Sequence, residues 1–119
     1  MKRFLYLIVG LLLLVAPAFG HSSFLRSEPK ADATLKAAPG EIRIWFSEPI
    51  KVGLSTFEVH DAAGKQVDQR DLRADKKEPA LVRLSLAPGL AAGVYKVTWS
   101  AVAQDMHVGK GGFSFQVGP

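Results

Sequence analysis

Val94-Tyr95-Lys96-Val97-Thr98-Trp99 alternates bulky and polar side chains and is rich in β-branched and aromatic residues, a composition that suits a pleated, half-buried surface. Continued to Ala103, the alternation puts Tyr95, Val97, Trp99 and Ala101 on one face and predicts a long strand. Ala103-Gln104-Asp105-Met106-His107-Val108 follows, then Gly109-Lys110-Gly111-Gly112, which reads as a glycine turn, then a closing strand over Gly112–Val117. In extended backbone Asp105 and His107 point to the same face, about 6–7 Å apart along the strand. A carboxylate and an imidazole held that way can share one metal ion or one proton.

Working back from this stretch, the period-two pattern recurs. Glu41–Phe46 puts Ile42, Ile44 and Phe46 on one face and ends at Ser47-Glu48-Pro49. Thr56–His60 alternates, and Asp61-Ala62-Ala63-Gly64 makes a hairpin connection into Lys65-Gln66-Val67. Ala80–Leu86 turns Val82, Leu84 and Leu86 inward, and Ser22–Ser27 is a first strand. Lys30–Ala38 is polar and alanine-rich, and Arg70–Pro79 is a charged, solvated loop. About seven short strands without a helix predict a single all-β domain, an antiparallel β-sandwich or Greek-key β-barrel. The chain has no cysteine, and the missing Cys…Trp…Cys pattern argues against an antibody-type domain.

The first twenty residues belong to a different class. A basic Met1-Lys2-Arg3, an apolar run from Phe4 to Val15 and small residues over Ala16–Gly20 read as a cleaved secretory signal, too short and wrongly flanked for a membrane span. The expected organisation is a signal peptide over 1–20 and one domain over 21–119, with no membrane anchor after cleavage. Two scissile bonds compete, one leaving Phe19 first and one leaving His21 first, and the local pattern does not separate them. Removing Lys2 and Arg3 lowers the basic count from 15 to 13 against 11 acids, leaving +2. With charges interspersed, nucleic-acid binding is not expected. Secretion without cysteine leaves neither a disulfide nor a thiolate.

Of the three histidines, His60 ends a strand before a hairpin turn with no ligand-like neighbour and reads as structural. His21, if it starts the mature chain, offers an α-amine and an imidazole that close a chelate ring on one metal. With His107 and Asp105 the donors become three nitrogens and a carboxylate, which suit Cu(II) and, less selectively, zinc. Past the signal peptide Met106 is the single methionine, so a thioether Cu(I) site is not expected, and Met106 reads as a filler pointing away from its neighbours.

These residues resemble the CopC-type periplasmic copper-binding proteins of bacteria. The resemblance is carried by His21 after a small-residue cleavage site, Ser27-Glu28-Pro29, Trp45-Phe46-Ser47-Glu48-Pro49-Ile50, Gly93–Trp99, and Asp105-Met106-His107 followed by Gly112-Phe113-Ser114-Phe115. It implies a Greek-key or immunoglobulin-like β fold that binds one Cu(II) per chain through His21, Asp105 and His107. A glutamate of the Phe-Ser-Glu-Pro stretch, here Glu48, is sometimes placed at or near the metal. The resemblance also favours cleavage between Gly20 and His21, and the lack of further methionines matches members that bind Cu(II) only. The expected function is periplasmic copper sequestration, carriage or resistance, with an inner-membrane CopD-like transporter as partner, and no enzymatic activity. Two alternatives stand beside it: a copper-dependent oxidative enzyme built on an N-terminal histidine brace, and a metal-free secreted interaction domain.

Overall fold

The computed structural model describes residues 22–119; the expected signal peptide over residues 1–20, its cleavage site and His21 lie outside the described residues. Where alternation is cleanest the strand is where the pattern puts it: β3 spans Glu41–Phe46 and β4 Thr56–His60. β1 (Phe24–Glu28), β6 (Leu81–Ser85) and β7 (Gly93–Val102) fall within a residue or two of expectation. Three further elements complete the eight strands among the described residues: β2 (Thr34–Leu35), β5 (Arg73–Ala74) and β8 (Val108–Val117).

They form two four-stranded sheets, ordered β1-β3-β6-β5 and β2-β8-β7-β4, which face each other as a sandwich. Every pair is antiparallel except β2–β8, where Thr34 lies beside Gln116 in parallel register, so the second sheet is mixed. Ile42, Ile44 and Phe46 from β3, and Val82 and Leu84 from β6, meet Phe57, Val59, Tyr95, Val97, Trp99 and Phe115 of the other sheet in one buried core. Each fully buried side chain of this kind contributes about 1.5–3 kcal/mol. Three aromatic members meet around Trp99, which stacks on Phe57 at 5.7 Å and meets Phe46 edge-on at 6.0 Å, while Tyr95 stacks on Phe115 at 5.5 Å further along β7.

Four local expectations are corrected. Gly109–Gly112 is not a turn but the first half of β8, paired from Val102↔Val108 to Thr98↔Gly112. Glycine is needed there for packing rather than for turning: a Cβ on Gly111 would lie 2.6 Å from Trp99 Cζ2. The polar 30–38 and charged 70–79 segments each contribute a two-residue strand, β2 and β5. Lys65-Gln66-Val67 is no regular strand; Gln66 bridges His60, and Val67 N–H donates to the Val59 carbonyl at 2.8 Å. A single 3-10 turn, Val52–Leu54, precedes β4.

A buried carboxylate closes the outer edge of β4. Asp68 Oδ1 accepts the Val59 N–H at 2.9 Å and the Gln66 side-chain amide at 3.0 Å, and Oδ2 accepts the Arg70 N–H at 3.1 Å. A side chain thus satisfies a strand edge that would otherwise be left open. On the outer face of the first sheet Glu41 bridges Arg73 and Arg83, and Asp75 holds the far side of Arg83 at 2.9 Å.

Candidate metal centre

The hairpin joining β7 to β8 is closed by Ala103 and His107: the Ala103 N–H donates to the His107 carbonyl at 2.8 Å, and the Met106 N–H donates to the Ala103 carbonyl at 2.9 Å. Gln104, Asp105 and Met106 therefore make a three-residue loop, with Met106 at φ 72° in the left-handed position such loops require. The extended geometry expected for Asp105–His107 is replaced by this turn. Met106 is exposed and fills no core.

The turn still brings the two side chains together, by a different route from strand alternation. Asp105 Oδ1 accepts the His107 backbone N–H at 3.0 Å, and Oδ2 lies 2.8 Å from His107 Nδ1. An ionised carboxylate only accepts, so Nδ1 is the donor in this contact, and a neutral ring held this way has its lone pair on Nε2. A carboxylate gripping one imidazole nitrogen while the other faces a metal is a recurrent way of orienting a histidine ligand. The carboxylate also has lone pairs enough to hold the ring and ligate. The pair is exposed, with 29% of the Asp105 and 68% of the His107 side-chain surface accessible.

Two other segments converge on this loop. Gln104 Nε2 donates to the Pro49 carbonyl at 3.3 Å. Ser22 Oγ donates to the Glu48 carbonyl at 3.1 Å and reaches the Pro49 carbonyl at 3.4 Å. The residue next in sequence to His21 and the residue next to Asp105 therefore meet at Pro49. Ile50 bridges Ala103 in the same region, and Lys51 N–H donates to the Val102 carbonyl at 2.8 Å.

Glu48 lies in this junction, but through its backbone; the residue itself is exposed. Among the described residues no three of His, Cys, Asp or Glu come together closely enough to hold a metal ion, so Glu48 does not join Asp105 and His107. His60 stands on β4 with its Nε2 3.6 Å from Glu58 Oε1. Sequence reasoning missed Ser22, Ser47 and Gln104. The signal for Ser47 lies in the Ser47-Glu48-Pro49 stretch that ends β3.

The family model of the CopC domain matches residues 24–118. The chain is 31% identical to copper resistance protein C of Escherichia coli, over 91% of this chain and 90% of that protein. It is also 31% identical to copper transport protein CutJ of Bacillus subtilis (strain 168) over 99% of its own length, but it spans only 22% of CutJ. Among solved structures, CopC from Methylosinus trichosporium OB3b superposes with a TM-score of 0.75 at 27% identity, covering 83% of this chain and 95% of that one. PcoC, described as a methionine-rich copper resistance protein of Escherichia coli, gives 0.70 at 29% identity, covering 82% and 98%.

Proposed function

The chain belongs to the CopC family, and on that premise we propose that it is a periplasmic carrier that takes up one Cu(II) per chain through His21, Asp105 and His107. The family is one of copper-binding and transport proteins rather than enzymes. Carriage agrees with that: it needs donors and an open approach, not a nucleophile or a general base.

One observation supports the reading above the others. Ser22 and Gln104 converge on the Pro49 carbonyl. Ser22 follows His21 and Gln104 precedes Asp105 in sequence, which supports a site shared by the chain's two ends. Cleavage between Gly20 and His21 then supplies an α-amine and an imidazole from the chain's beginning, next to an imidazole and a carboxylate from near its end. Three nitrogens and an oxygen in a roughly square set suit Cu(II), which heads the divalent affinity order. Glu48 stays outside this ligand set.

Binding requires neutral nitrogens. The α-amine and both imidazoles must lose protons to bind the metal, so copper capture weakens as pH falls. The partner that receives the metal is proposed as a CopD-like membrane transporter. In CutJ the matching segment is part of a much longer copper transport protein.

The test is Cu(II) titration of protein beginning at His21, against a competing chelator, with the His107→Ala variant alongside. One equivalent bound tightly by the parent, and at least 100-fold weaker binding by the variant, is expected for loss of a ligand from a four-donor site. Equal affinity in the two proteins would remove His107 from the site. Zinc competition measures selectivity in the same titration.

A further inference from the structure

Ser47-Glu48-Pro49 recurs in the resemblance, yet Glu48 does not stand with Asp105 and His107. The stretch does something else. Ser47 grips Ser23 twice: its Oγ accepts the Ser23 N–H at 2.8 Å, and its own N–H donates to the Ser23 carbonyl at 2.8 Å. One residue further on, the Glu48 carbonyl accepts the Ser22 hydroxyl at 3.1 Å. One residue beyond that, the Pro49 carbonyl accepts from Gln104 of the Asp105–His107 loop. Three consecutive residues thus tie the start of the domain on one side and the metal loop on the other.

A second anchor acts on the same segment. The β1–β3 register slips between Phe24 and Arg26, and a bulge of this kind re-aims the side chains beside it. Phe24 is 41% exposed yet lies stacked on Trp99 at 5.5 Å and tilted against Phe113 at 6.3 Å. Its ring crosses from the first sheet to the second, so residues 22–24 run over the end of the sandwich instead of leaving it.

We infer that Ser47 is a positioning residue for copper capture: its hydroxyl clasps Ser23 and so holds the chain's leading donors beside Asp105 and His107. This rests on the proposed Cu(II) reading, which supplies the reason why the terminus must be placed. The physical basis is effective concentration. Donors on a tethered but unclasped segment sample many positions, and each binding event must then fix them. A clasp made before the metal arrives removes that cost. The serine hydroxyl suits this task, being a short acceptor close to the backbone.

The experiment measures Cu(II) affinity by chelator competition for the protein beginning at His21 and for its Ser47→Ala and Ser47→Thr variants. Each is also prepared with one glycine inserted before His21. Losing one solvent-accessible hydrogen bond predicts about 3- to 10-fold weaker binding for Ser47→Ala. Ser47→Thr, which keeps the acceptor, should stay within about 2-fold of the parent. With the inserted glycine the amine is displaced whatever Ser47 does and only the His21 imidazole is left for the clasp to place, so Ser47→Ala should there cause a smaller loss than in the parent. A general destabilisation would weaken both backgrounds alike, and that result would overturn the inference. So would parental affinity in Ser47→Ala, or a Ser47→Thr protein as weak as Ser47→Ala. Failure of the parent to bind Cu(II) would instead overturn the functional reading on which the clasp rests.

Discussion

Gly109 and Gly111 stand two residues apart on the same face of β8, opposite Ala101 and Trp99, and a methyl group added to each should have opposite consequences. At Gly109 nothing lies within 4 Å of the new Cβ. Gly109→Ala should be neutral or stabilise by up to about 1 kcal/mol, because alanine loses less backbone freedom on folding. At Gly111 the Cβ would sit 2.6 Å from Trp99 Cζ2, 2.7 Å from Cε2 and 2.9 Å from Nε1. The indole cannot swing away cheaply, being stacked on Phe57 at 5.7 Å and on Phe24 at 5.5 Å. Overpacking of this kind costs about 1–3 kcal/mol. For a domain of this size that is a fall in Tm of roughly 4–20 °C. Urea denaturation followed by tryptophan fluorescence resolves the difference, with the midpoint moving and the slope unchanged. Because Phe24 rests on the displaced ring, Gly111→Ala should also weaken Cu(II) binding, while Gly109→Ala should not. Equal stability of the two variants would refute the view that glycine at 111 exists to seat Trp99.

Other outcomes follow from the same coordinates. Asp68→Ala leaves the Val59 and Arg70 N–H groups and the Gln66 amide without their acceptor, and should cost about 2–3 kcal/mol in urea unfolding. Met106→Gly relieves a left-handed non-glycine residue that is largely exposed, and should gain about 1 kcal/mol in the same assay. The Asp75 carboxyl is held below its ordinary value, first by the Glu78 N–H and then by the Arg83 side chain and the Lys77 N–H. A depressed folded-state pKa contributes stability that is complete above the unfolded aspartate value and is lost as pH falls through the folded one. Asp75→Asn should therefore lose stability at neutral pH yet show a shallower decline on acidification below about pH 4, read from denaturation midpoints across pH.

Much of the sandwich was legible because alternation and burial report the same thing. β3 and β4 fall on the residues their period predicts, since each has one face on the core and one toward solvent. β2 and β5 were not legible. Two residues are too few to show a period, and both strands exist because a neighbour offers an edge, β8 for Thr34–Leu35 and β6 for Arg73–Ala74. Gly109–Gly112 misled for a related reason: glycine usually marks a turn, but here its missing side chain makes room for an indole. The actual turn at Gln104–Met106 carries no glycine, and its chemistry lies in the carboxylate of Asp105 accepting the His107 N–H. Within the candidate site, Asp105 and His107 were named by residue type and spacing. That Ser22, Ser47 and Gln104 join the chain's two ends depends on carbonyl positions, which no residue pattern encodes.

The central claim is that donors from the start of the domain and from the β7–β8 loop share one Cu(II). Electron paramagnetic resonance of the one-to-one complex, prepared from protein beginning at His21 with and without imidazole-nitrogen labelling, tests it directly. A single tetragonal species coupled to two imidazoles and one amine nitrogen is predicted, with one imidazole coupling lost in His107→Ala and the amine coupling lost when a residue precedes His21. A spectrum with one imidazole only, or one left unchanged by His107→Ala, would contradict the account.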